Sequence, residues 1–157
     1  MKKITLLIAA VFLTLTACSK SDDDSSSSYV QLKIDGVSKK YRKVKVTKKE
    51  DEFTAIQKIS NYEVIATEGD NVLNNISFWI TISLTENNHY ADRFEIENEG
   101  IKYYAPYKNR EGTFNAEILE SNDKHATGVF AGELKRQSSE NKDEVIKVEA
   151  GEFNIIF

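Results

Sequence analysis

The side chains able to carry chemistry are few: one cysteine (Cys18), two histidines (His89 and His125), one tryptophan (Trp79) and a cluster of lysines between residues 33 and 49. A lone thiol forms no disulfide within the chain and no cysteine metal site. His89 and His125 lie 36 residues apart, each beside a turn, and neither has the closely spaced histidine, cysteine or carboxylate partners that metal sites use. Both read as solvated loop histidines. A hydrolytic triad is assembled in space rather than in sequence, but no G-x-S-x-G elbow or related nucleophile signature occurs. The turns Glu68-Gly69-Asp70-Asn71 and Glu120-Ser121-Asn122-Asp123 are rich in oxygen ligands yet lack EF-hand spacing. Turn propensity alone accounts for them. The expectation is a protein with no catalytic residues, no metal ligands and no cofactor.

Two groups of residues suit binding rather than catalysis. Lys33, Lys39, Lys40, Arg42, Lys43, Lys45, Lys48 and Lys49 place eight positive charges within 17 residues of an acidic chain. In an extended strand Lys43 and Lys45 share a face with Tyr41, opposite Val44 and Val46, and form a candidate site for lipid phosphates or an acidic glycan. The plainer reading, which we favour, is an edge strand protected from aggregation by lysines. The second group is aromatic: Trp79 on the polar face of the strongest strand, and Tyr103, Tyr104 and Tyr107 flanking Pro106. Exposed aromatic rings stack on sugars and dominate many binding surfaces. These four are the candidate contacts for a glycan or a small apolar ligand, with packing against a neighbouring strand or loop as the alternative for Trp79.

The elements that must position these groups are strands. Apolar and polar residues alternate nearly throughout, the period-2 signature of half-buried strands, and no ten-residue stretch carries a helical stripe. Val30, Leu32 and Ile34 face one way and lead into the hairpin signal Asp35-Gly36. Strands are expected over 41–47, 53–60 and 62–67. The strongest, 76–85, points Phe78, Ile80, Ile82 and Leu84 to one side, with a turn at Asn87-Asn88. Further strands fit 93–97, 101–104, 112–118, 126–136 and 145–157, with turns at Asn98-Glu99-Gly100 and 121–124, and a polar loop at 138–143. Gly151 is expected to bend the last of them through a bulge. Local hairpins of this kind make an all-β domain: an antiparallel β-sandwich or flattened up-and-down β-barrel of about nine or ten strands.

The N-terminus carries an address. Lys2 and Lys3 precede an apolar run of 14 residues, Ile4 to Ala17. A helix needs about 20 residues to span a bilayer, so this segment reads as a secretory signal peptide. Leu15-Thr16-Ala17-Cys18 resembles the lipobox of bacterial lipoproteins, which implies cleavage before Cys18 and acylation of its thiol. Each buried acyl methylene contributes about 0.8 kcal/mol, so two or three chains would hold the protein at a membrane. Residues 19–28 have no apolar side chain with which to offset ordering entropy and form a tether with a reach of about 17 Å. Within it Ser19, Lys20, Ser21, Asp22, Asp23 and Asp24 resemble the export signal of Bacteroidota surface lipoproteins, which implies display on the outer leaflet.

The domain organisation is therefore signal peptide 1–17, lipidated cysteine and tether 18–28, and one domain over 29–157. Removing the signal with its two lysines leaves 140 of the 157 residues and takes the formal charge from −4 to −6. Such a balance speaks against nucleic acid as a partner. Gly112-Thr113-Phe114, Thr127-Gly128-Val129-Phe130 and Gly151-Glu152-Phe153-Asn154-Ile155 resemble a group of Bacteroidota all-β lipoproteins, some lipocalin-like. That resemblance implies fold and location but no activity. The combined expectation is an outer-membrane, lipid-anchored protein on the cell surface that binds a glycan, a small apolar ligand or an envelope protein without catalysis. A structural or interaction component facing the periplasm is the alternative.

Overall fold

Ten strands and no helix make up the computed structural model, which describes residues 27–50, 58–83, 85, 88–105, 114–136 and 144–157. The signal, Cys18 and the export segment lie outside the described residues, as do Phe53, Leu84, Asn87, Tyr107, Gly112, Thr113 and the loop at 138–143. In chain order the strands are β1 (Tyr29–Ile34), β2 (Val37–Tyr41), β3 (Lys43–Lys49), β4 (Ile59–Glu68), β5 (Asn71–Ser83), β6 (His89–Asn98), β7 (Ile101–Tyr104), β8 (Asn115–Ser121), β9 (His125–Arg136) and β10 (Val145–Ile156).

Turn chemistry sets the hairpins. Asp35 and Gly36 have φ of 48° and 83°, and Glu99 and Gly100 have φ of 53° and 80°. Paired positive φ values match the right-handed twist of the flanking strands, and they close β1–β2 and β6–β7. Asp35 adds a second role, since its Oδ1 accepts from Lys147 N at 2.9 Å and ties the hairpin to β10.

All ladders are antiparallel and the strand order is β2-β1-β10-β9-β7-β6-β5-β4-β3, with β8 also on β9. The sheet is barrel-shaped and nearly closed, which decides between the sandwich and the barrel. First and last strands pair, Tyr29 with Asn154 through Ile34 with Val148. β7 and β8 share one edge of β9 end to end, at Tyr103↔Arg136 and at Asn115↔Ala131.

One expectation about facing fails at the corner between β2 and β3. Tyr41 was expected beside Lys43 and Lys45, but Tyr41 is wholly buried while both lysines are exposed. Arg42 and Lys43 both point outward, so the alternation slips by one residue where the chain leaves β1 and joins β4. The two margins of the sheet are thereby one continuous segment, 37–49. No ladder joins β2 to β4. Lys39 spans the gap: its Nζ lies 3.6 Å from Glu68 and donates to Asn98 Oδ1 at 2.8 Å.

Inside, five phenylalanines meet. Phe78 stacks on Phe94 with centroids 4.8 Å apart, Phe94 lies 4.9 Å from Phe130 and 5.0 Å from Phe114, and Phe78 lies 5.1 Å from Phe153. Two of these rings rest on glycines across the β9–β10 ladder, where Gly128 faces Phe153 and Gly151 faces Phe130. A Cβ on Gly128 would sit 2.5 Å from the Glu117 carbonyl oxygen, and one on Gly151 would sit 2.5 Å from Phe130 Cε2. The register shifts between Val148 and Gly151, with Ala150 at φ 46°, which is the bulge expected at Gly151. At the barrel end where β10 finishes, Phe157 stacks on Tyr62 at 3.8 Å.

Gly128→Ala and Gly151→Ala are each expected to destabilise by about 1–3 kcal/mol through overpacking, and Phe130→Ala by about 3–5 kcal/mol, read from urea midpoints. Lys39→Ala is expected to cost about 1–2 kcal/mol because it strands acceptors at the seam. Lys43→Ala, which removes an exposed pair with Asp70, should stay within about 0.5 kcal/mol in the same measurement.

Candidate functional site

Alternation along β7 separates two of the candidate aromatics. Tyr103 turns into the barrel at 4% exposure, and Tyr104 points outward and is half-buried. A strand sends successive side chains to opposite faces, so adjacent tyrosines cannot form one platform. The Tyr103 hydroxyl donates to Glu144 Oε1 at 2.8 Å, and Arg136 is paired with the other oxygen of that carboxylate. Burial first, then the Glu144 hydrogen bond, pushes the Tyr103 phenol above its ordinary value. Tyr103 thus fastens β7 to the start of β10 from inside and shares no surface with Tyr104. Tyr107 lies outside the described residues.

Trp79 and Tyr104 do share the outer wall. Trp79 is flanked across the ladders by Glu63 of β4 and Asp92 of β6. Between Ser77 and Trp79 the β5–β6 register shifts, and the extra residue is Arg93, at φ 54°. That bulge places the Arg93 guanidinium carbon 4.6 Å from the indole centroid, a cation–π contact of roughly 0.5–1 kcal/mol at an exposed site. Glu95, on the strand between those of Trp79 and Tyr104, is the ladder partner of both Ser77 and Tyr104. Burial, then the Glu95 charge, raises the Tyr104 phenol. Two amphipathic rings set among carboxylates and a guanidinium offer stacking surface with donors and acceptors on both sides. That combination fits a polyhydroxylated ligand.

The basic run is dispersed by the fold rather than gathered. Lys39 turns inward at the seam, and Lys40 lies over the Tyr29 ring at 4.9 Å. Lys43 pairs with Asp70, Lys48 with Glu50, and Lys49 with Glu63 at 3.0 Å. Hydrogen bonding from Lys43 holds the Asp70 carboxyl below its usual range. Lys45 is exposed beside Ile65. Since β2 and β3 are the margins of the sheet order, lysines on them suit the protection of strand edges.

Both histidines differ from the solvated loop residues expected. His89 opens β6 and His125 opens β9, and each is only partly exposed. His89 pairs with Ile82, and its Nδ1 is buried without a hydrogen-bond partner among the described residues. Among those residues there is no group of three or more histidine, cysteine or carboxylate side chains able to hold a metal ion.

Sequence reading did not find a groove of about 640 Å3 on the outside of β8, β9 and β10, where Glu117 and Glu152 flank Val129. The bulge expected at Gly151 was the nearest signal, since Ala150 and Gly151 line the groove.

The Tyr103–Glu144–Arg136 cluster yields a pH dependence. Glu144 is lowered from its ordinary value by its hydrogen bond with Arg136 and then with Tyr103. A depressed carboxylate contributes stability that is present above the ordinary carboxylate range and is lost as pH falls through the lowered value. The wild-type advantage over Glu144→Gln in urea midpoint should therefore be constant near neutrality and shrink toward zero on acidification.

No protein-family model matches this chain, and no curated protein matches it in sequence.

Proposed function

We propose that this chain is a lipoprotein held to the outer membrane through Cys18 and displayed on the cell surface, with its barrel serving as a non-catalytic module that binds glycans. The observation that carries the location is the N-terminal sequence: a charged start, a short apolar run, Leu-Thr-Ala before the lone cysteine, then Asp22-Asp23-Asp24. The barrel is compatible with a short tether, because Ser28 Oγ accepts from Ile156 N at 2.9 Å and the chain enters β1 at one end of the barrel.

Binding on the outer wall is supported by two features. Phe78, Phe94, Phe130 and Phe153 occupy the middle of the barrel in mutual contact, whereas Trp79 and Tyr104 face outward among Glu63, Asp92, Arg93 and Glu95. A second reading, an interaction component of the envelope facing the periplasm, is favoured by Val37, Val72 and Leu73. These are 62%, 70% and 52% exposed at hairpin ends of the barrel, away from Ser28. Large apolar side chains left exposed in this way suit a protein contact.

Growth with radiolabelled palmitate is expected to label the wild type and leave Cys18→Ser unlabelled. Protease added to intact cells should then remove the domain while a periplasmic control survives. Replacement of Asp22, Asp23 and Asp24 by alanine should restore protection. Protection of the wild type would instead assign the domain to the periplasm, and absence of label would remove the anchor. On a glycan array, Trp79→Ala is expected to lose at least tenfold in signal, about 1.4 kcal/mol.

A further inference from the structure

The groove on the outer face of β8, β9 and β10 belongs to none of the features above. It lies on the opposite side of the wall from the phenylalanine cluster and arises from the same bulge. At Ala150 and Gly151 the β10 backbone steps out of register with β9, and the exposed residue at that step is the small Ala150. Val129, Ala131 and Ala150 supply a low apolar floor, and Asn115, Glu117 and Glu152 form its polar sides.

The charges on those sides are of one sign and are held apart. Glu117 and Glu152 are both ladder partners of Val129, one on β8 and one on β10. Two interstrand spacings separate their backbones, about 10 Å. Glu152 is oriented from behind, since its Oε1 accepts from Gln31 Nε2 at 2.6 Å and from the Tyr29 hydroxyl at 3.1 Å. The Glu117 side chain forms no hydrogen bond or ion pair with another described residue. Val129, between them, is 39% exposed. An apolar strip bordered on both sides by carboxylates is complementary to basic side chains, whose methylene stems lie on apolar surface while their heads meet the charges.

The geometry points to this groove as a docking site for an extended, basic segment of a partner protein, crossing β9 over Val129 with one lysine or arginine at Glu117 and another at Glu152. Polyproline II is the conformation that suits the span. It repeats every three residues with about 3.1 Å rise, so residues i and i+3 project from the same side about 9 Å apart. Recognition of such a segment needs little ordering of the ligand.

The test uses the full chain purified in detergent with its anchor. The probes are fluorescein-labelled Lys-Pro-Pro-Lys and, as charge control, Glu-Pro-Pro-Glu, followed by anisotropy. The lysine peptide is expected to bind, to weaken as salt is raised beyond about 0.1 M, where the screening length is about 10 Å, and to lose at least tenfold in affinity in Glu117→Gln. Glu152→Gln should behave likewise, and Glu99→Gln, on a distant hairpin, should bind as wild type. Glu117→Gln removes no hydrogen bond or ion pair between described residues, so an unchanged melting temperature will show that the loss is local. Absence of lysine-peptide binding, equal binding of the glutamate peptide, or unchanged affinity in both groove variants would overturn the assignment. It would equally fall if the protein self-associated with rising concentration and Glu117→Gln abolished that association, since a second copy would then be the occupant.

Discussion

The reciprocal pairing of glycine with phenylalanine on β9 and β10 is the constraint on which the rest of the barrel depends. Gly128 faces Phe153 and Gly151 faces Phe130, each ring lying where a side chain on the opposite strand would otherwise stand. A glycine within a strand weakens it by itself, but a cross-strand aromatic covers the exposed backbone and recovers packing. With Phe130 and Phe153 so placed, Phe78 and Phe94 can stack between them, and β5 and β6 are drawn onto β9 and β10. Interiors are packed nearly as densely as organic crystals, so this arrangement of rings and glycines sets how narrow the barrel can be.

Closure follows from a different economy. The strands at the two ends of the folded chain, β1 and β10, pair with each other, and the single segment 37–49 supplies both margins by turning at Arg42. What remains between β2 and β4 is bridged by side chains, with Lys39 reaching Glu68 and Asn98. Half-buried ion pairs stabilise only when their remaining donors and acceptors are satisfied. Here Asn74 completes the group, since its Nδ2 donates to Glu68 at 3.3 Å and its Oδ1 accepts from Glu99 N at 2.8 Å. A lysine from the basic run thus has a structural role that its neighbours on the surface do not share.

Because aromatic rings occupy the middle of the barrel, both proposed binding sites lie on the outer wall. Bulges shape it twice. At Arg93 the extra residue lays a guanidinium on Trp79, and at Ala150 the shifted register leaves a hollow between two carboxylates. Bulges re-aim side chains beside functional sites in many sheets. In this barrel the two differ in chemistry, one aromatic with mixed charge and one apolar with acidic borders.

Much of the local structure was legible in the sequence. Alternation placed Val30, Leu32, Ile34, Phe78, Ile80, Ile82, Phe130, Phe153 and Ile155 in the core, where they are buried. The hairpins at Asp35-Gly36 and Glu99-Gly100 and the bulge beside Gly151 were equally readable, because turn geometry and period 2 are properties of a few consecutive residues. The parity slip at Arg42, the split of Tyr103 from Tyr104 and the dispersal of the lysines were not anticipated. The groove at Glu117 and Glu152 was not read either, because it lies across three strands. Composition and alternation determined an all-β antiparallel domain. Register, closure and the wall on which each side chain meets its neighbours were decided only in the tertiary structure, since they depend on pairings between residues as distant as Tyr29 and Asn154, and no local pattern encodes which strand lies beside which.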